Sequence, residues 1–113
     1  MYNLKERTSL FAGKIIDLCW KLPRDYVWRP IVTQLVRSGT SVGANYAEAN
    51  AASSKRDFRN KIFICKKEAQ EKSYWLSLLP RISPENQQGI DELQKESQEL
   101  TLIFQKITKT LDA

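Results

Sequence analysis

The 113-residue sequence contains no histidine. That absence removes the commonest general base, the nucleophilic triads built on an imidazole, and the Glu-x-x-His pairs with which helical bundles hold di-iron centres. Glycine is scarce. Gly13, Gly39, Gly43 and Gly89 all lie in or beside helical patterns, none in a GxxxxGK[ST] or GxGxxG loop, so no phosphate-cradling loop is expected. The two cysteines, Cys19 and Cys65, sit inside apolar stretches without CxxC spacing and read as reduced core thiols. No run approaches the roughly 20 apolar residues of a membrane span. The opening MYNLKERTSLF is charged too early and apolar too briefly for a signal peptide, so a cytoplasmic location with no membrane partner is the expectation.

What is present suits one small domain. Residues 1–113 with 42% hydrophobic content support a real but modest core and leave no room for a separate cofactor domain; no cofactor is expected. Eighteen Lys and Arg against thirteen Asp and Glu give a formal charge of +5 and a pI near 9.3. Such a balance favours acidic partners but falls short of a disordered basic tail.

Four stretches carry helical periodicity. The first, over about 5–22, places Leu4, Phe11, Ile15, Leu18 and Leu22 at steps of three, four or seven, with Ala12, Ile16 and Cys19 beside them. Pro23 ends it, and PRDYVWR forms a connector carrying Tyr26 and Trp28. The second, over about 30–51, opens on Pro30 and sets Val32, Leu35, Val36, Gly39, Val42, Gly43, Tyr46 and Ala47 on one face. Two glycines weaken a helix by about 1 kcal/mol each relative to Ala, so their retention argues for close approach of a neighbouring backbone; the competing reading is a break near RSGTSVG.

The third stretch, over about 55–81, opens with Ser54 and Asp57 in a capping-box-like spacing and aligns Phe58, Ile62, Cys65, Ala69, Leu76 and Leu79. Ser83, Pro84 and Glu85 read as the N-cap and first turn of the fourth, over about 84–111, whose seam is Leu93, Ser97, Leu100, Phe104, Ile107 and Leu111. With short connections and no alternating strand pattern, the chain is expected to be all-α, an antiparallel up-and-down four-helix bundle.

Candidate functional residues follow from helical projection. At about 100° per residue, Arg37, Ser41, Asn45 and Glu48 share a polar arc opposite Gly39 and Gly43, with Ser38 beside them. The arc reads either as solvated surface or as a hydrogen-bonded contact between subunits. Glu68 and Glu71 lie one turn apart on the third helix; they are either carboxylate metal ligands or, as favoured here, partners of Arg37 and of Asn45 or the serines. Lys55, Arg56, Arg59, Lys66, Lys67 and Arg81 gather on one side of the third helix with Phe63 and Tyr74, and Asp57, Glu68 and Glu71 on the other. Basic groups interleaved with aromatics suit phosphates and bases, although such arcs also occur as solvated faces.

The stretch RSGTSVGANYAEANAASSKRDF, followed by KKEAQEKSYWLSLL, resembles the four-helix bundle family of 23S rRNA intervening-sequence proteins. Its R-S-x-x-S-x-x-x-N-x-x-E signature is matched by Arg37, Ser38, Ser41, Asn45 and Glu48, and its Ser-Lys-x-x-Phe-like segment by Ser54, Lys55, Asp57 and Phe58. Glu71 and Leu76 fit the later Glu and Leu of the family. Where a glycine is common after the Glu, this chain has Ala49 and Asn50, which favours a longer second helix. The resemblance implies a ring-like homopentamer. More distantly, the chain resembles the accessory variability determinants of diversity-generating retroelements, basic pentameric partners of a reverse transcriptase and RNA. Two functions therefore stand as expectations: a non-enzymatic homo-oligomeric bundle with no evident small-molecule substrate, and a nucleic-acid-binding accessory protein, for RNA or DNA, of low sequence specificity.

Overall fold

The computed structural model describes residues 3–112. Helix α1 spans Leu4–Trp20, α2 Arg29–Asn50, α3 Lys55–Leu78 and α4 Gln87–Asp112. Local chemistry sets their starts. Asn3 Oδ1 accepts from the Glu6 amide at 3.3 Å and Ser54 Oγ from the Asp57 amide at 3.0 Å, each satisfying an orphan first-turn donor. Ser54→Ala should therefore cost about 1 kcal/mol, read as a lower urea midpoint with unchanged slope. Pro30 occupies the first turn of α2, where its missing N–H is harmless. The second helix runs unbroken through RSGTSVG, and neither Gly39 nor Gly43 has positive φ.

The corner between α3 and α4 departs from the expected boundaries. Helix α3 stops at Leu78, a 3-10 turn covers Leu79–Arg81, a second covers Pro84–Asn86, and α4 begins only at Gln87. Pro80 and Pro84 explain this: each lacks the amide proton that would continue the α-helical ladder, and Pro84 also holds Ser83 out of α geometry. Ser83 does not cap the backbone with its side chain. Its buried hydroxyl donates to Glu85 Oε1 at 2.9 Å and accepts from Asn86 Nδ2 at 2.6 Å.

All four helices are antiparallel to their neighbours in sequence, and no strand occurs among the described residues. Gly39 faces Ile15 while Gly43, one turn later, faces the earlier Thr8. Lys72 meets Leu35 and Cys65 meets Val42; Ser73 meets Gln94 and Arg59 meets Asp112. Each pairing descends along one helix as it rises along the other.

One core cluster joins the helices. Leu4, Phe11, Ile15, Leu18 and Leu22 enter it from the first segment, Ile62, Cys65, Ala69 and Leu76 from α3, and Leu93, Leu100 and Phe104 from α4. Along α2 the buried face is turned from its expected position: Ala49 is buried and Ala47 exposed, and Leu35, Ser38, Gly39 and Val42 share the buried face with Ala49. Small residues leave the facing of a helix weakly specified, and here the larger Leu35 and Val42 decide it.

Candidate functional site

Arg37 projects from α2 toward two carboxylates of α3. Its Nε donates to Gln34 Oε1 at 2.9 Å, its Nη2 donates to Glu71 Oε1, and its Nη1 lies 3.7 Å from Glu68 Oε2. Trp75 Nε1 donates to the same Glu71 oxygen at 3.2 Å. Arg37 is half-exposed and Glu71 partly so, and ion pairs this open to water contribute roughly 0–1 kcal/mol, so the Arg37–Glu71 pair orients the helix contact more than it stabilises it. Glu68 Oε2 is buried and accepts no hydrogen bond among the described residues; the cationic Arg37 is the compensation within reach.

The other members of the expected arc lie elsewhere. Ser38 is fully buried and its hydroxyl donates to the Gln34 carbonyl of its own helix at 2.8 Å, so it leaves the arc. Ser41 Oγ donates to the Arg37 carbonyl at 2.6 Å and Asn45 Nδ2 to the Ser41 carbonyl at 2.8 Å. Both spend their polarity on their own helix and do not reach Glu68 or Glu71, as serine and asparagine side chains readily do when a carbonyl lies one turn back. Glu48 is exposed, and no ion pair involves it among the described residues.

Behind Arg37 lies the feature the sequence pattern did not single out. Lys72 of α3 is fully buried, its Nζ donates to the Leu35 carbonyl of α2, and the amine sits 5.9 Å from the centroid of the Phe11 ring. Burial pushes the ammonium down from an ordinary value of 10.5 to about 7. Gly39 is what admits it. A Cβ there would overlap Lys72 Nζ and lie 3.1 and 3.2 Å from two carbons of Ile15. The glycine thus makes room for a side chain rather than for a neighbouring backbone. Gly43 is less tightly met, with Thr8 Oγ1 3.4 Å from the same imagined atom. A signal was present: Ile62, Cys65, Ala69, Lys72, Leu76 and Leu79 alternate steps of three and four, which puts Lys72 inside the α3 seam.

The basic residues of α3 do not form one free surface. Arg59 is engaged by Asp112 of α4 through bonds of 2.5 and 3.1 Å, and this partnership holds the Asp112 carboxyl below its ordinary range. Lys66 Nζ stands 5.6 Å over the Phe63 ring. Lys55, Arg56 and Lys67 are exposed, as is Arg81 in the 3-10 turn beyond the helix. Phe63 and Tyr74 are exposed on the same outer stripe as Arg56 and Lys67.

Of the three tryptophans, Trp20 is exposed, whereas Trp28 and Trp75 pack against the core. Among the described residues no group of three or more His, Cys, Asp or Glu side chains is placed to hold a metal, and no helix is long and apolar enough to cross a membrane. The cluster can fix the register of α2 against α3, because a polar group in an apolar seam favours the one alignment that satisfies it.

Comparison with known proteins agrees with this architecture. No curated protein matches the chain. A solved structure from Bacteroides thetaiotaomicron VPI-5482, described as a protein with unknown function from the S23 ribosomal protein family, is 35% identical. The match covers 94% of this chain and 98% of that one, with a TM-score of 0.83. The pattern of the 23S rRNA-intervening sequence protein family extends over residues 3–106, and the chain belongs to that family.

Proposed function

We propose that the protein is a non-enzymatic, self-associating helical scaffold of the cytoplasm, assembling into the homopentamer that its family resemblance implies. The observation that carries this reading is the distribution of exposed apolar side chains. Leu10, Ile16, Trp20, Tyr26, Val27, Phe63, Tyr74 and Leu102 stand 38–79% exposed on a chain of only 113 residues. Scattered examples are normal, but Trp20, Tyr26 and Val27 share one helix end and its connector, and Phe63 and Tyr74 share one helix face. A small bundle gains by covering such groups with further copies of itself.

Sedimentation velocity over a dilution series tests this. At tens of micromolar the expected species is several times 13.1 kDa, and a strictly monomeric boundary would reject the proposal. A second reading, binding of RNA or DNA through backbone contacts, is favoured by one observation, the α3 stripe of Arg56 and Lys67 with exposed Phe63 and Tyr74. It expects retention of nucleic acid that falls steeply with salt. A purified protein with no nucleic-acid absorbance and no retention at low salt removes that reading without touching the first.

A further inference from the structure

Two surfaces of this chain are complementary to each other and are not in contact within it. The first is the outer stripe of α3: Arg56, Asn60, Phe63, Lys67, Gln70 and Tyr74 recur every three or four residues, with exposed aromatics and no acid among them. The eighteen helical steps from Arg56 to Tyr74 make it about 27 Å long. The second is a cleft of about 750 Å³ between α1 and α4. These two helices pack together far less closely than the three pairs adjacent in sequence, so the cleft stays open. Leu10, Leu18 and Leu93 give it apolar lining, and its α4 wall is acidic. The acids lining this side are Glu85, Glu92, Glu96 and Glu99 against the single base Lys95, and Arg7 of α1 pairs with Glu96 at 2.7 Å and lies 3.8 Å from Glu99. The α1 wall contributes Lys14, Asp17 and Lys21, so the excess of negative charge lies on the α4 side of the groove.

A groove between two helices is the shape that accepts a third, and this one offers carboxylates beside exposed Leu10 where the α3 stripe offers cations beside Phe63 and Tyr74. We propose that the outer stripe of α3 docks into the α1–α4 cleft of a second copy. This rests on the self-association proposed above and specifies its geometry. The two patches differ, so the contact is head-to-tail, and each copy retains one free patch of each kind until a ring closes.

The test uses the full chain in four forms: wild type, a stripe variant with Arg56→Glu and Lys67→Glu, a cleft variant with Glu92→Lys and Glu99→Lys, and the fourfold combination. All four positions are exposed, so helicity by circular dichroism should be unchanged and serves as the folding control. Each double variant is expected to weaken assembly by about a hundredfold or more, because like charges then face one another across the contact. The fourfold variant, with both signs reversed, is expected to assemble again. If both double variants keep the mass of an oligomeric wild type, or the fourfold variant fails to recover it, this contact is wrong while self-association stands. Loss of RNA retention by the stripe variant with no change in its mass also overturns it, in favour of the nucleic-acid reading. A monomeric wild type removes self-association and this contact together.

Discussion

The urea midpoint of the protein is expected to rise between pH 7 and pH 9. The cause is Lys72, whose ammonium is disfavoured by burial in the fold, at about 7, yet returns to its ordinary 10.5 in the unfolded chain. Between those values the unfolded chain binds a proton that the folded one does not, so stability increases with pH. The gain is fully present only above 10.5 and is lost as pH falls through 7. From pH 7 to pH 9 it amounts to about 2 kcal/mol. The groups electrostatically coupled to the amine are Cys19 on α1, Arg37 on α2 and Glu68 and Glu71 on α3, and burial raises the Cys19 thiol.

Cys65 sets the upper limit of the rise. Burial pushes its thiol from 9.0 to about 12, with the thiol donating to the Val42 carbonyl at 3.5 Å. A group raised in the fold contributes stability that is complete below its unfolded value and is lost as pH climbs toward the folded one. Stability should therefore level off between about pH 9 and 10.5, where the two effects oppose each other, and fall beyond. Lys72→Met keeps the volume and removes the charge. That variant should be flat between pH 7 and 9 and more stable than wild type at pH 7 by about 1–4 kcal/mol, the range over which apolar groups improve on buried ions. A wild-type midpoint that does not move between pH 7 and 9 would show that Lys72 is not held as described.

The second large effect joins Gly39 to Lys72. Gly39→Ala would ordinarily strengthen a helix by about 1 kcal/mol. Here the added methyl displaces a buried amine from its carbonyl and presses on Ile15, so the expected result is a net loss of about 1–3 kcal/mol. In a Lys72→Ala background the obstruction by the amine is gone, and the same substitution should be close to neutral or stabilising. The coupling between the two sites is expected to be about 2 kcal/mol. Gly43→Ala, which meets Thr8 Oγ1 at an ordinary 3.4 Å, should raise stability by up to about 1 kcal/mol in either background. Urea unfolding followed by circular dichroism gives all three values, and a Gly39→Ala variant as stable as wild type would separate the glycine from the lysine.

The four helices were legible in the sequence because long apolar side chains such as Phe11, Ile62, Leu100 and Phe104 recur at helical spacing, and burial of each strongly favours one facing. Helix α2 was less so. Apart from Leu35 and Val42 its buried face is made of Ser38, Gly39 and Ala49, and the exposed Ala47 is as small as they are, so the small difference in burial energy leaves its rotation to be decided by neighbours. Lys72 was hidden by its charge, although it occupies a seam position, because a lysine normally reaches water. Only the absence of a side chain at Gly39 and the carbonyl of Leu35, both on another helix, make its burial tolerable. The signs of Arg37, Glu68 and Glu71 were legible, but that Ser41 and Asn45 turn back to their own helix was not. The cleft between α1 and α4 was invisible for a related reason. Periodicity says which side of a helix is apolar and nothing of how closely two helices distant in sequence approach.

The native mass of the wild-type chain tests self-association most directly. One closed assembly at an integer multiple of 13.1 kDa, five copies by the family resemblance, is the expected spectrum. A spectrum containing only the 13.1 kDa chain at tens of micromolar, roughly the concentration at which even a weak interface should fill, would contradict it.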